Sequence, residues 1–141
     1  MKKIIILVAF IASAISAGAK ALVIDNQLNC AMNITIYSHN STCSPDNCYH
    51  YSYSTTVAAN STLNYTGPND GSLGWTPSPC NMNFPNFVFS DIAGGNGTCS
   101  WTFDLGACTA TTTYTNSCSA CGGTVNVNLS SSPTTITVTI N

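Results

Sequence analysis

Past residue 20 the chain contains no lysine, no arginine and no glutamate. Its three basic residues, Lys2, Lys3 and Lys20, crowd into the first twenty positions, and its five acids, Asp25, Asp46, Asp70, Asp91 and Asp104, all lie beyond them. Once a leader ending at Ala21 is removed, no lysine or arginine faces those five aspartates and the formal charge is −5. That balance excludes nucleic-acid binding, because phosphate neutralisation needs Lys or Arg. Attachment to an anionic membrane surface fails for the same reason. Surface ion pairs are confined to His39 and His50, and trypsin has no site after Lys20 even in the unfolded chain.

Catalytic equipment is as scarce. There is no Gly-x-Ser-x-Gly elbow, neither histidine sits in a nucleophile context, and no cation is available to a developing anion. Asp91 and Asp104 are the pair that would serve as acid and base in a small secreted hydrolase. Helical periodicity of useful length is absent beyond the leader, which points away from bundles and α/β layering. The absences favour a protein that binds over one that does chemistry.

What is present begins with that leader. Met1-Lys2-Lys3 is a basic head, residues 4–15 are apolar, and residues 16–21 are mostly small. This is the three-part secretory signal, too short to span a bilayer comfortably. Ala19-Lys20-Ala21 fits the small-x-small cleavage rule, as does Ala17-Gly18-Ala19. The expected organisation is a signal peptide over 1–21 and one domain over 22–141, exported to an extracellular or periplasmic space, with no membrane attachment after cleavage.

All eight cysteines, Cys30, Cys43, Cys48, Cys80, Cys99, Cys108, Cys118 and Cys121, belong to that domain. An even number in a short exported chain reads as a disulfide framework, each bridge contributing about 2–4 kcal/mol. Close spacing suggests Cys43–Cys48, Cys118–Cys121 and Cys99–Cys108, which leaves Cys30–Cys80; nested pairs such as Cys99–Cys121 fit as well. A redox role for Cys118-Ser119-Ala120-Cys121 would need a helix N-terminus, whereas Gly122-Gly123 and a strand follow. Zinc could draw on His39, Cys43, Cys48 and His50, or on Cys99, Cys108, Cys118 and Cys121, but it needs the cysteines as thiolates, and an oxidising compartment consumes them. Asn69-Asp70-Gly71 lacks the remaining calcium ligands and reads as a turn. No metal and no cofactor is expected.

Strand patterns fill the domain. Residues 21–24 form a first strand, broken at Asp25-Asn26. Residues 33–37 and 49–53 alternate with period two, as strands with one buried face do. Residues 55–57 and 62–65 flank a turn, residues 66–79 form a Gly/Pro-rich loop, and Phe87-Val88-Phe89 is a buried strand. Residues 93–97 read as a turn, and residues 100–103 and 109–115 as strands. The clearest signal is at the end, where Val125, Val127 and Leu129, then Ile136, Val138 and Ile140, alternate with polar residues around Ser130-Ser131-Ser132-Pro133. That is a hairpin with one core face, its row of Thr135, Thr137 and Thr139 facing solvent or a partner. The fold class is therefore all-β, an antiparallel, disulfide-stabilised sandwich of jelly-roll or Ig-like type closed by a C-terminal hairpin.

Tyr49, Tyr51 and Tyr53 share one strand face, and Trp75 and Trp101 add large aromatic surface. Such a face stacks on sugar rings or grips a protein, so these five are the candidate ligand-binding residues. The rows Thr109, Thr111, Thr113, Thr115 and Thr135, Thr137, Thr139 have the look of an ice-binding surface, without the regular repeat that usually builds one. Six Asn-x-Ser/Thr sites occur, at Asn33, Asn40, Asn60, Asn64, Asn96 and Asn128, no more than this Asn- and Ser/Thr-rich composition produces. Sheet edges are normally guarded by charge, above all by Lys. With none available, edges must be covered, blunted or used for pairing, which makes a self-assembling surface protein the alternative reading.

The opening Val23-Ile24-Asp25-Asn26, with Cys30 and Ile34-Thr35-Ile36-Tyr37 after it, resembles the first strands of thaumatin-like domains. The resemblance covers a short stretch and implies no function. The sequence reading is a secreted, non-enzymatic module that binds carbohydrate or protein through an aromatic face.

Overall fold

The computed structural model describes residues 20–40, 51–77, 79, 82, 87–97, 99–105 and 118–141. They form ten strands: β1 (Ala21–Asn26), β2 (Met32–Asn40), β3 (Tyr51–Val57), β4 (Ser61–Tyr65), β5 (Phe87–Asn96), β6 (Cys99–Asp104), β7 (Cys118–Ala120), β8 (Gly123–Val125), β9 (Val127–Ser131) and β10 (Thr135–Ile140). One four-stranded sheet has the order β4-β1-β10-β9, a second β3-β2-β5-β6, and β7-β8 is a separate ribbon. The all-β expectation holds.

Strict antiparallel pairing does not. β1 and β10 run parallel, with Leu22 beside Ile136 and Ile24 beside Val138. Hairpin turns impose antiparallel neighbours, but these two strands come from opposite ends of the chain and a long connection leaves direction open. The first strand also runs past its expected break. Asn26 ends β1 fully buried, its Nδ2 donating to Cys30 O and Ala58 O at 2.9 Å each, while its Oδ1 accepts from Leu28 N. A buried amide is tolerated in a strand when every polar atom finds a partner.

Alternation in the sequence becomes alternation in burial. Leu22 and Ile24 of β1 and Ile136, Val138 and Ile140 of β10 join Met32, Ile34 and Ile36 of β2, Ile92 of β5 and Phe103 of β6 in one apolar cluster. Removing each such side chain from water is worth about 1.5–3 kcal/mol. The closing hairpin forms as read, β9 antiparallel to β10, with the Ser132 hydroxyl accepting from Thr135 N at 3.0 Å across the turn. Two details differ. The run before the turn is split at Asn126, so that Val125 closes the β7–β8 ribbon while Val127 starts β9. Leu129 is 37 % exposed instead of core, because β9 is the last strand of its sheet. Thr135, Thr137 and Thr139 are half-buried on the opposite face, as the two-faced hairpin requires.

Residues 93–96 are strand, not turn: Gly94 pairs with Trp101 and Gly95 with Ser100. The glycines are there to be approached. A Cβ on Gly94 would lie 2.2 Å from the Trp101 ring, and one on Gly95 2.3 Å from the Cys99 carbonyl oxygen. The row at 109–115 lies outside the described residues.

Candidate functional site

The five aromatic residues do not make an open platform. Tyr51, Trp75 and Trp101 are buried and Tyr53 is half-buried; Tyr49 lies outside the described residues. Tyr51 and Tyr53 do share a face of β3, but it is the face toward Ile36 and the core, while Ser52, Ser54 and Thr56 point the other way. Trp75 caps the group, its ring 5.7 Å from Phe87 and 6.5 Å from Tyr53, with Nε1 donating to Pro68 O at 2.8 Å. Tyr53 in turn meets Tyr65 at 6.2 Å. Burial, and secondarily the neighbouring Tyr53, push the Tyr65 phenol up to about 12. The aromatic surface that looks like a binding face is spent on packing, as edge-to-face rings in cores commonly are.

The cysteines correct a second expectation. Cys30 is bonded to Cys121, 91 residues away, which rules out Cys30–Cys80, Cys118–Cys121 and Cys99–Cys121. Cys121 and Gly122 occupy the two central positions of the β7–β8 turn with φ of 58° and 78°, the left-handed pair that a two-residue hairpin requires. Cys99 is also in a disulfide, so two of the four thiols of the zinc alternative are consumed. Cys43, Cys48, Cys80 and Cys108 lie outside the described residues. At the Asn69-Asp70-Gly71 turn, Asp70 takes hydrogen bonds from Thr66 N and Oγ1 at 2.9 Å each and from Ser72 N and Oγ at 3.0 and 2.6 Å. Those donors, the Ser72 hydroxyl foremost, hold its carboxyl well below the usual range.

The face of the second sheet away from the core is the feature with binding geometry. Register places three rows across it: Thr56, Asn33, Gly95, Ser100; then Ser54, Thr35, Ala93, Thr102; then Ser52, Tyr37, Asp91, Asp104. Over the first two rows lies a depression of about 390 Å³. Its floor is Ala93, Gly94 and Gly95 of β5, its walls are Asn33 and Thr35 of β2 and Ser100 and Thr102 of β6, and Trp101 of β6, one of the five aromatic candidates, lines it too. The floor is low because β5 carries nothing larger than a methyl group there. Thr35 Oγ1 is tied to Ser54 Oγ at 3.0 Å, and Asn33 Oδ1 accepts from Thr56 Oγ1 at 3.0 Å. These bonds fix the wall rotamers and leave the Asn33 amide nitrogen to point elsewhere. No residue lining the depression carries a charge.

Beside it stand the two aspartates that the sequence singles out, and the structure does bring them together: Asp91 and Asp104 are register partners on β5 and β6. Asp91 is only 1 % exposed, and one of its carboxyl oxygens has no hydrogen-bond partner. Burial raises its pKa; the Ser90 hydroxyl opposes that, and the negative charge of Asp104 adds to it. Two carboxyl groups in unlike environments are the raw material of acid–base catalysis. A general acid must also reach its substrate, and the burial of Asp91 denies that contact. Sequence reasoning misses the depression altogether, although the Ala93-Gly94-Gly95 run between two alternating strands was its available signal.

No protein-family model, no characterised protein and no solved structure matches this chain, so the likeness of β1 and β2 to thaumatin-like domains carries no further weight.

Proposed function

We propose that the protein is a secreted, non-enzymatic module that binds an uncharged, polyhydroxylated ligand, a carbohydrate chain, in the depression on the second sheet. The two four-stranded sheets are read as a sandwich, since their apolar faces contribute to a single core cluster. Export is supported by the leader and by the Cys30–Cys121 bridge. Cleavage after Ala19 suits the fold better than cleavage after Ala21, because Ala21 is the first residue of β1 and its N–H donates to Thr134 O at 2.9 Å. The intact mass of the exported chain distinguishes the two.

The observation that carries the reading is the lining: hydroxyl and amide walls over a floor with no side chain larger than a methyl group, free of charge. Sugars offer hydroxyl groups that both donate and accept, and Ser, Thr and Asn match them in kind. An ionic ligand finds no counter-charge there. Trp101 lines the depression but is only 2 % exposed, so wall hydrogen bonding takes the place of the stacking in the sequence reading; Tyr37 is half-buried in the adjacent row.

Glycan-array screening followed by calorimetry tests this. Ala93→Leu fills the floor from the solvent side and should abolish binding while leaving the unfolding midpoint nearly unchanged. Equal binding by Ala93→Leu and the parent chain would refute the site. Tyr51→Ala, which an aromatic platform would single out, should instead unfold the protein through loss of a buried ring, a truncation that costs Phe and Trp about 3–5 kcal/mol.

A further inference from the structure

Lysine, the usual guard of sheet edges, is scarce: cleavage after Ala19 leaves Lys20 alone, and its Nζ donates to Ser131 Oγ at one end of β9 at 2.8 Å. The first sheet ends in β4 on one side and β9 on the other. Each of these two outer strands carries one Asn-x-Ser/Thr site within it: Asn64-Tyr65-Thr66 begins on β4, and Asn128-Leu129-Ser130 lies on β9. Both asparagines are exposed, and Asn128 Nδ2 makes a long 3.4 Å hydrogen bond to Asn141 Oδ1. Both lie on the face away from the core, since their sequence neighbours Leu63 and Val127 belong to or pack against the core cluster.

The remaining sites differ. Asn40 is fully buried, so a glycan there is incompatible with the fold. Asn96 is half-buried and commits its Nδ2 to Ala31 O at 2.9 Å. Asn60 is exposed at the tip of the β3–β4 turn with φ 50°. Asn33 is exposed on β2, inside the second sheet and at the wall of the depression.

We propose that Asn64 and Asn128 are N-glycosylation sites whose glycans shield the two outer strands of the first sheet. In the modification the side-chain Nδ2 attacks the anomeric carbon of an oligosaccharide carried on a lipid diphosphate. The N–C bond forms as the bond from that carbon to the diphosphate oxygen breaks; the lipid diphosphate leaves, one amide proton passes to a base of the transferase, and nothing is oxidised or reduced. The placement has a physical use. β9 bears Leu129, the one large hydrophobic residue that is exposed among the described residues, and β9 and β4 have no charged residue of their own, the nearest charges being Lys20 on Ser131 Oγ at 2.8 Å and Asp25, which accepts from Thr62 Oγ1 at 3.0 Å. An uncharged edge with unpaired backbone groups templates another strand, and a bulky hydrated chain on the outward side chain of that edge blocks the approach sterically. The proposal is independent of the ligand-binding reading, which concerns the other sheet.

The test is to express the full chain with its own leader in cultured eukaryotic secretory cells. Glycans are released by an amidase in heavy-oxygen water, which marks each occupied Asn as labelled Asp, and the peptides from chymotrypsin are weighed. Occupancy at Asn64 and Asn128, with none at Asn40, is expected; an unmodified Asn64 or Asn128 overturns the proposal. The purified glycoprotein is then deglycosylated under native conditions and sedimented beside the untreated sample. Association after release, matched by an Asn64→Gln/Asn128→Gln variant and not by Asn33→Gln, supports shielding. Identical sedimentation before and after release overturns it. Should the double variant fail to be secreted, the enzymatic arm decides alone. Loss of glycan binding by Ala93→Leu leaves all these outcomes untouched.

Discussion

Gly94→Ala sets two well-characterised effects against each other and so tests the close approach that shapes β5. Gly94 has no left-handed φ, so alanine is compatible with its backbone and, on chain entropy alone, the substitution should stabilise by about 0.4–1 kcal/mol. The packing says the opposite. The added methyl carbon would sit 2.2, 2.6 and 2.7 Å from three atoms of the Trp101 ring, where carbon atoms normally rest about 3.5–4.0 Å apart. Something must move by more than an ångström. Trp101 is 2 % exposed and packs edge-on against Phe103 at 5.7 Å, so the ring has nowhere to go. Overpacking of this kind costs about 1–3 kcal/mol, which outweighs the entropic gain. For a urea dependence of about 1–3 kcal/mol per molar, the midpoint should fall by roughly half to two molar. A double-mutant cycle sharpens the assay. Trp101→Ala removes the ring at a cost of about 3–5 kcal/mol, and in that background Gly94→Ala should be neutral or stabilising. The coupling then equals the overpacking energy, about 1–3 kcal/mol. A Gly94→Ala protein as stable as the parent, or additive single effects, would refute the reasoning.

Two further outcomes follow from the same structure. Replacing Cys30 and Cys121 together by Ser opens a loop of 91 residues' separation, for which chain entropy gives a loss of about 4–5 kcal/mol as an upper value, since the Cys99 bridge already restrains the unfolded chain; non-reducing urea unfolding measures it, and a midpoint unchanged from the parent contradicts the assigned pairing. Asp91 has a folded-state pKa above its unfolded value of 3.8, so the folded chain binds more protons between those two values and stability must fall as pH rises through that window; Asp91→Asn should flatten this part of the stability–pH curve and raise stability at neutral pH, and an unaltered curve would show that burial of the charge is not what raises the pKa.

Local chemistry in the sequence reaches far into this fold. Period-two alternation in residues 33–37, 100–103 and 135–140 is a property of the pleat itself, so it marks strands wherever they pair. The Ser-rich turn before β10 and the Asp70 turn are equally local, because the side chain and the backbone group that it satisfies lie within a few residues. The absence of Arg and Glu, and of Lys past residue 20, is likewise read without any structure. Alternation does not say which face is covered, however. Ser52/Ser54/Thr56 and Tyr51/Tyr53 are both regular rows, and only packing of β3 against the core decided that the tyrosines face inward and the hydroxyls outward. The same holds for Asp25 and Asn26, which look like a strand break until Asn26 is seen to satisfy carbonyls 4 and 32 residues away. Register is likewise a long-range quantity. It pairs β1 with β10 in parallel, sets Asp91 beside Asp104, seats Trp101 over Gly94 and brings Cys30 to Cys121. The β5–β6 pairs belong to one hairpin, but β1 with β10 and Cys30 with Cys121 are far apart in sequence and are brought together by the burial of many side chains at once. The sequence by itself determined an all-β, cysteine-bridged chain without ionic chemistry. The tertiary structure decided which rows face outward, because burying the aromatic residues left the hydroxyl rows of the second sheet on the side away from the core.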